Sequence, residues 1–223
     1  MRPRLALFDC DGTLADSQHH IVSAMDEAFA DIGLPPPPAQ AVRATIGLSL
    51  PGIAARLLPD HDAALQAALV EAYRTRYFTA RSMAGAAPEP LYDGIADVIT
   101  ALGNAGWLLG IATGKSMRGL TRLLAAHGLS DRFVTLQTAD FHPSKPDPSM
   151  CVAAFDETGC APEDTVVIGD TAYDMAMARA AGALAVGVSW GYHGPAELQG
   201  AGAHAMATRP DQLPAIMKQL LER

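Results

Sequence analysis

Short apolar runs alternate with segments of helical spacing from Trp107 to the end of the chain. The runs WLLGIAT, FVTLQT, TVVIGD and ALAVGV are typical of strands, and a further short strand is expected near HAMA. Because these runs are apolar on both faces, they predict a parallel sheet that is covered by helices on each side. The run LALF near the N-terminus belongs to the same sheet. The expected fold class is therefore α/β, with a doubly wound, Rossmann-like core.

The stretch that follows the first strand interrupts this alternation and contains no convincing strand. Its helix-like pieces are 17–33, 39–47 and 63–80. The prolines at 35–38 form a rigid connector that no helix can cross. A helical block at this place is expected to cover the edge of the sheet. The predicted division is a core domain of residues 1–15 and 83–223 and a helical cap domain of residues 16–82.

Composition argues against several classes of function. The net charge of −8 and the pI near 5.2 argue against a nucleic-acid-binding or polybasic membrane surface. There is no apolar stretch of membrane-spanning length, and the first apolar run is too short for a signal peptide. Three cysteines without metal-type spacing favour a reduced, cytoplasmic protein. We expect a monomer or homodimer that acts on a small molecule.

Four segments place polar side chains at or near the ends of predicted strands. They are DCDGT at 9–13, ATGK at 112–115, SKPDP at 144–148 and GDTAYD at 169–174. Ligands of open parallel sheets bind outside the carboxyl ends of the strands, so these segments are expected to converge. Asp9 and Asp11 point to the same side of their strand, and two like charges so close need a cation or a shared proton.

The four segments resemble the four motifs of the haloacid dehalogenase-like superfamily, and the helical insert resembles the first type of cap in that superfamily. The resemblance spans essentially the whole chain and is greatest to the phosphoglycolate phosphatase group. It implies a Mg²⁺-dependent phosphatase that works through an aspartyl-phosphate. The implied substrate is a small phosphorylated metabolite, such as phosphoglycolate or a sugar phosphate.

The resemblance also implies roles for single residues. Asp9 would be the nucleophile, and Asp11 would be first the general acid and then the general base. Thr113 and Lys145 complete the expected catalytic set, because they would hold and neutralise the phosphoryl group. The expected phosphate-binding residues are Gly12, Thr113, Gly114 and Lys145.

The implied metal site uses carboxylates from two strand ends. Asp9 and Asp170 would bind Mg²⁺ through side-chain oxygens, and Asp11 would bind it through its backbone carbonyl. Asp174 would hold a metal-bound water. A second interpretation of Asp174 is an acid in the first turn of a helix, where the helix dipole favours it.

The substrate-selecting residues are expected in the cap, on a turn that includes Arg43, Gly47 and Leu48. An arginine there would grip a substrate carboxylate, although arginines on amphipathic helices are often simply solvated. The candidate arginines are Arg43, Arg56, Arg74, Arg76 and Arg81.

Several polar residues near the motifs have plainer interpretations. Lys115 is expected to be an exposed lysine at the start of a helix rather than a functional group. Asp16 and Ser17 are expected to cap the first helix of the insert. Cys10 alternates inward along its strand and is expected to pack in the core.

Two other functions remain open at this stage. A sugar-phosphate mutase of the β-phosphoglucomutase type would carry a cap histidine at the position of Ile21, whereas this chain has His20 one residue earlier. A non-enzymatic phospho-acceptor or regulatory module would use Asp9 but would need neither Asp11 nor a large insert. Dehalogenases and phosphonate hydrolases of the superfamily lack an acid at the position of Asp11.

Overall fold

The computed structural model describes residues 2–82 and 87–222. Within these residues the chain forms a six-stranded parallel sheet. The strands are β1 (Arg4–Phe8), β2 (Trp107–Thr113), β3 (Thr135–Thr138), β4 (Thr165–Gly169), β5 (Leu184–Val188) and β6 (Ala205–Ala207). The predicted α/β class and each predicted strand are confirmed.

The strand order is β3-β2-β1-β4-β5-β6, so the chain winds outward from β1 in one direction and then in the other. The point of reversal lies between β1 and β4, whose carboxyl ends carry Asp9 and Asp170. In doubly wound folds this reversal opens a crevice for the ligand. The topology therefore brings two of the four predicted segments to the same place.

The described helices are named in chain order. They are α1 (Gln18–Asp31), α2 (Ala39–Arg43), α3 (Leu50–Leu57), α4 (Ala63–Ser82), α5 (Ile95–Asn104), α6 (Met117–Ala126), α7 (Ser149–Thr158), α8 (Ala172–Ala180), α9 (Pro195–Gly200) and α10 (Leu213–Leu221). Helices α3, α5 and α9 were not predicted. No helix of the described residues is both long and apolar enough to cross a membrane.

Strand alternation separates the apolar core into two clusters, one on each face of the sheet. Leu5 and Leu7 of β1 pack into one cluster, and Ala6 and Phe8 pack into the other. The segment from α1 to α4 contains no strand, and its helices bury their apolar side chains in a third cluster of their own. The predicted start of the second core segment, residue 83, lies outside the described residues, so the division into domains stays a prediction.

Candidate active site

A cavity of about 240 Å³ lies between the carboxyl edge of the sheet and the helical insert. Its sheet side includes Asp9, Asp11, Thr113, Gly114 and Lys115, here called the floor, and Ser116, Ala139 and Asp140 complete the lining on that side. Its insert side, here called the roof, consists of Ile21, Ile46, Gly47, Leu48, Leu50, Pro51, Ile53, Tyr73, Arg74, Tyr77 and Phe78. Two of the four predicted segments therefore supply the floor.

The other two predicted segments meet directly beneath the floor. Asp9, Asp170 and Asp174 each offer a carboxylate oxygen, and these oxygens lie within 4.8 Å of one another. The Nζ atom of Lys145 lies 2.8 Å from Asp9 Oδ1 and donates to Asp174 Oδ1 at 2.6 Å. All four side chains are buried. The structure thus brings together Asp9, Lys145, Asp170 and Asp174, as the sequence predicted.

The charges in this cluster do not balance. Burial raises the pKa of Asp9, and the facing carboxylates of Asp174 and Asp11 raise it further, although Lys145 acts in the opposite direction. Burial and the charges of Asp9 and Asp174 likewise raise the pKa of Asp170 well above its usual range. Three buried carboxylates against one ammonium leave room for a further positive charge.

The donor set fits a hard divalent cation such as Mg²⁺, which prefers oxygen ligands. Asp9 Oδ2 is buried and accepts no hydrogen bond from any described residue. Such an orphaned acceptor costs free energy unless something binds it. The carboxylate of Asp9 therefore faces both the cavity and a site suited to a cation.

Asp170 is held in a fixed orientation. Thr13 donates its hydroxyl to Asp170 Oδ1 at 2.8 Å, and the amide of Tyr192 donates to Oδ2 at 2.9 Å. Gly12 adopts a positive φ of 92°, and a Cβ at this position would overlap the Asp170 carboxylate. The amide of Gly12 itself donates to the Ala15 carbonyl, so the phosphate contact expected for Gly12 is not offered by its own N–H. Gly12 instead makes the turn that fits around Asp170.

Asp174 lies in the first turn of α8, as its second interpretation predicts, and it also faces Lys145. Its Oδ1 accepts from Lys145, whereas its Oδ2 accepts from the amide of Thr171 at 3.1 Å and from the Thr171 hydroxyl at 2.6 Å. Thr171 in turn caps the first turn of α8. This reciprocal capping fixes the first turn of α8 beneath the floor.

The expectation of an exposed Lys115 is wrong. Its Nζ atom is buried and donates to Asp11 Oδ1 at 2.7 Å and to the Tyr77 hydroxyl at 3.1 Å, with Glu89 at 3.4 Å. Helix α6 is capped by Ser116 and starts at Met117, so Lys115 belongs to the turn before the helix rather than to its outer face. Burial alone would lower the pKa of Lys115, but the facing Asp11, Tyr77 and Glu89 raise it well above its usual range.

The sequence interpretation missed the partners of Lys115. Tyr77 comes from α4 of the insert and donates its hydroxyl to Glu89, and both side chains are buried. Glu89 stands between two prolines in the connection back to the core. In the sequence, the one signal that could have pointed to Glu89 is that it is the single acid in a stretch of small residues and prolines at 84–90. The contacts join Asp11 to the insert through Lys115.

Thr113 and Gly114 of the floor have separate structural roles. The Thr113 hydroxyl accepts a hydrogen bond from the amide of Lys115 at 3.2 Å, so its own O–H can still be donated to a ligand. Gly114 lies directly under the insert, and a Cβ there would overlap the backbone carbonyl oxygen of Leu48 and lie 2.8 Å from that of Gly47. Only glycine permits the turn of the insert to approach this closely.

The insert segment 44–49 is attached to the core at several points, and this contact is here called the seam. The amide of Ser49 donates to the Ser144 hydroxyl at 2.8 Å, and the Tyr173 hydroxyl donates to the Ala44 carbonyl at 3.1 Å. Gly47, with a φ of 103°, lies against Thr171. The seam therefore contacts three of the four predicted segments: 112–115 through Gly114, 144–148 through Ser144, and 169–174 through Thr171 and Tyr173.

Of the residues expected to select the substrate, some line the cavity and others do not. Gly47 and Leu48 line the cavity as expected, whereas Arg43 is not among the lining residues. The Nε atom of Arg43 is buried and bonds to no described residue. Arg74 lines the cavity, and it donates to Glu71 at 2.6 Å. Arg43 is the last residue of α2 and precedes the turn that reaches the floor. The structure therefore does not bring Arg43 to the cavity.

Two capping predictions near the first strand have different outcomes. Asp16 accepts a hydrogen bond from the amide of Gln18 at 3.4 Å. Ser17 occupies the N-cap position of α1, but its hydroxyl makes no capping bond and is buried with no partner among the described residues, so that prediction is wrong. Cys10 is buried in the core cluster, as predicted.

Comparison with known proteins agrees with this geometry. A family model described as haloacid dehalogenase-like hydrolase matches residues 6–188. The Dickeya dadantii protein named "Probable phosphatase IndB" is 36% identical over 90% of this chain and 87% of its own length. A plasmid-encoded phosphoglycolate phosphatase of Cupriavidus necator is 31% identical over 95% of this chain and 91% of its own length.

Similarity extends to the three-dimensional structure. A hydrolase from Pseudomonas syringae superposes with a TM-score of 0.84 at 26% identity, and the match covers 96% of this chain and 98% of the other. The strand order, the convergence of the four segments and the family match all lead to the same assignment. The chain belongs to the haloacid dehalogenase-like hydrolase family.

Proposed function

We propose that this protein is a Mg²⁺-dependent, cytoplasmic phosphatase that hydrolyses a small phosphate monoester through an aspartyl-phosphate on Asp9. The observation that carries the proposal is the position of Asp9, which faces the cavity above and a cluster of Lys145, Asp170 and Asp174 below. A nucleophile in this position meets the phosphoryl group and its charge-neutralising partners at once. Residues 16–82 would act as a cap domain that closes the cavity.

In the first half of the reaction, a carboxylate oxygen of Asp9 attacks phosphorus while the bond to the ester oxygen breaks. Asp11 gives its proton to the departing alcohol, and Lys145 offsets negative charge on Asp9 and on the phosphoryl group. Thr113 donates its O–H to a phosphoryl oxygen. In the second half, Asp11 takes a proton from water, which attacks phosphorus and releases inorganic phosphate and free Asp9. Acid–base assistance of this kind contributes roughly 10²–10⁴-fold.

The residues that would hold Mg²⁺ are Asp9 and Asp170 through their side chains, Asp11 through its carbonyl and Asp174 through a water. When bound, the ion supplies positive charge that draws the phosphoryl oxygens toward Asp9 and screens its carboxylate. The unbalanced carboxylates and the orphaned Asp9 Oδ2 support this assignment.

A sugar-phosphate mutase is the second candidate, and one observation disfavours it. Ile21, at the position where the mutases carry their cap histidine, lines the cavity. The neighbouring His20 accepts a hydrogen bond from Arg81 at 2.9 Å and is not among the lining residues. Without a cap histidine over the floor, transfer to water is favoured over transfer to a bound sugar.

The test uses purified protein and p-nitrophenyl phosphate, with Mg²⁺ added after chelation. We expect hydrolysis only with the metal, and we expect the Asp9→Asn variant to lose roughly 10⁴–10⁶-fold in kcat. The matched control is Asp97→Asn on α5, an exposed residue whose replacement is expected to leave the rate unchanged. Full activity in chelator, or in Asp9→Asn, would refute the proposal.

A further inference from the structure

We propose that the cavity selects a phosphate monoester whose leaving alcohol is uncharged and carries an apolar group of up to one aromatic ring. This inference rests on the proposed phosphatase function and specifies its substrate class. It departs from phosphoglycolate, whose leaving group carries a carboxylate.

The first support is the composition of the roof. Eight of the roof side chains are aliphatic or aromatic and only one, Arg74, is charged. These eight are Ile21, Ile46, Leu48, Leu50, Ile53, Tyr73, Tyr77 and Phe78. When the phosphoryl group lies on the floor, the leaving group is directed toward the roof. An apolar leaving group gains from leaving water there, whereas a charged one loses its hydration without compensation.

The second support is the charge around the cavity. Asp9 and Asp11 lie on the floor, and Asp140 also lines the cavity. Of the two lining cations, Lys115 is buried and binds Asp11, whereas Arg74 is exposed and donates to the exposed Glu71 at 2.6 Å. A carboxylate on the leaving group would therefore face three acids, with the exposed Arg74 as the one lining cation outside the floor.

The third support is shape. Tyr73 and Tyr77 of α4 stack with ring centroids 5.5 Å apart, and Phe78 meets Tyr77 edge to face at 5.8 Å. The guanidinium of Arg118 lies 4.3 Å from the Phe78 ring centroid and packs against that ring. These rings form a fixed wall suited to an aromatic or aliphatic group. Because a benzene ring occupies a cavity of about 150 Å³ in a packed protein interior, about 240 Å³ admits a phosphoryl group and one ring.

The experiment compares phosphate release from benzyl phosphate, methyl phosphate and phosphoglycolate by the full chain with Mg²⁺. We expect kcat/KM for benzyl phosphate to exceed that for each of the others at least roughly 10-fold, since apolar groups in a fitting pocket give about 10–200-fold discrimination. A preference for phosphoglycolate would overturn the inference but leave the phosphatase standing. No release from these esters or from p-nitrophenyl phosphate would overturn both.

A matched pair of variants assigns the preference to the roof. Leu50→Asn places an amide of similar size on the roof, and it is expected to reduce the benzyl-to-methyl ratio at least about 5-fold. Leu57→Asn makes the same change at a half-buried position of the same helix that is not among the lining residues, and it is expected to keep the ratio. Equal benzyl-to-methyl ratios in Leu50→Asn and Leu57→Asn would overturn the inference. It would also be overturned if the Arg74→Gln variant lost activity on phosphoglycolate alone.

Discussion

The floor and the roof of the cavity are built in opposite ways. The floor contains two acids and a lysine, held by short polar contacts near the ends of strands: Lys145 lies 2.8 Å from Asp9, and Lys115 donates to Asp11 at 2.7 Å. The roof consists almost entirely of apolar side chains from α1, the turn at 44–49, α3 and α4, which share a cluster separate from the core. The difference teaches that, under the proposed function, the chemical step would belong to positions set by the sheet, whereas the choice of substrate would belong to side chains of the insert.

Two contacts join the floor to the roof. Lys115 reaches from Asp11 to Tyr77 of α4, and the seam rests on Gly114. If chemistry and selection are separate, variants at these contacts should alter turnover without changing which ester is preferred.

The largest effect is expected from Lys115→Met, which keeps the length of the side chain but removes the charge that holds Asp11. With Asp11 no longer fixed, we expect kcat for alkyl phosphates to fall by up to about 10²–10⁴-fold. The loss should be smaller for p-nitrophenyl phosphate, since its leaving group departs without a proton. Steady-state kinetics on both esters measures the difference.

The control for this variant is Tyr77→Phe, which removes a hydroxyl from Lys115 but leaves its bond to Asp11. We expect a small change in kcat and a loss of stability of about 1 kcal/mol, from thermal unfolding. An equal loss on both esters in Lys115→Met would mean that Lys115 supports the fold rather than the position of Asp11.

The next effect is expected from Gly114→Ala. The added methyl group would overlap the Leu48 carbonyl, so the seam must move away from the floor. A displacement of about 1 Å costs roughly 10²-fold in rate, and we expect kcat/KM to fall by that factor for all esters alike. Gly103→Ala is the matched control, because nothing lies near its Cβ position on α5 and alanine favours a helix. Unchanged kinetics in Gly114→Ala would show that the seam does not position the roof.

The smallest effect is expected from Arg43→Ala. Arg43 is not among the residues that line the cavity, so its removal should leave KM for phosphoglycolate and for p-nitrophenyl phosphate within about 2-fold of the parent. Initial-rate measurements on both esters check this. A rise in KM for phosphoglycolate alone would restore Arg43 as a carboxylate-binding residue and would connect selection to α2.

The sequence predicted the floor better than the roof for a physical reason. Asp9 follows β1, Thr113 ends β2, and Asp170, which lies beneath the floor, follows β4. The carboxyl ends of parallel strands must meet at one edge of the sheet. Their position therefore follows from topology alone. The roof has no such rule. Ile53, for example, is a buried residue of the insert cluster and also lines the cavity, and its apolar spacing in the sequence is the same for both positions.

The missed features depend on tertiary contacts. Lys115 is buried by Tyr77 and Glu89, which lie 38 and 26 residues away along the chain, so nothing local marked it. The first turn of helix α3 contains Pro51 and Gly52, which have poor helix propensity, yet proline is tolerated in a first turn and Ser49 caps the helix. Ser17 has a strong local capping preference, but its hydroxyl is buried without making the bond.

The most direct test is the chemical identity of the group that Asp9 carries during turnover. The Asp11→Asn variant is mixed with Mg²⁺ and p-nitrophenyl phosphate, quenched with acid and digested for mass spectrometry, since loss of the base slows the second step. The account predicts one phosphoryl group on the peptide that contains Asp9, formed in step with the first equivalent of nitrophenol. Release of nitrophenol with Asp9 unmodified, or with the phosphoryl group on another residue, would contradict it.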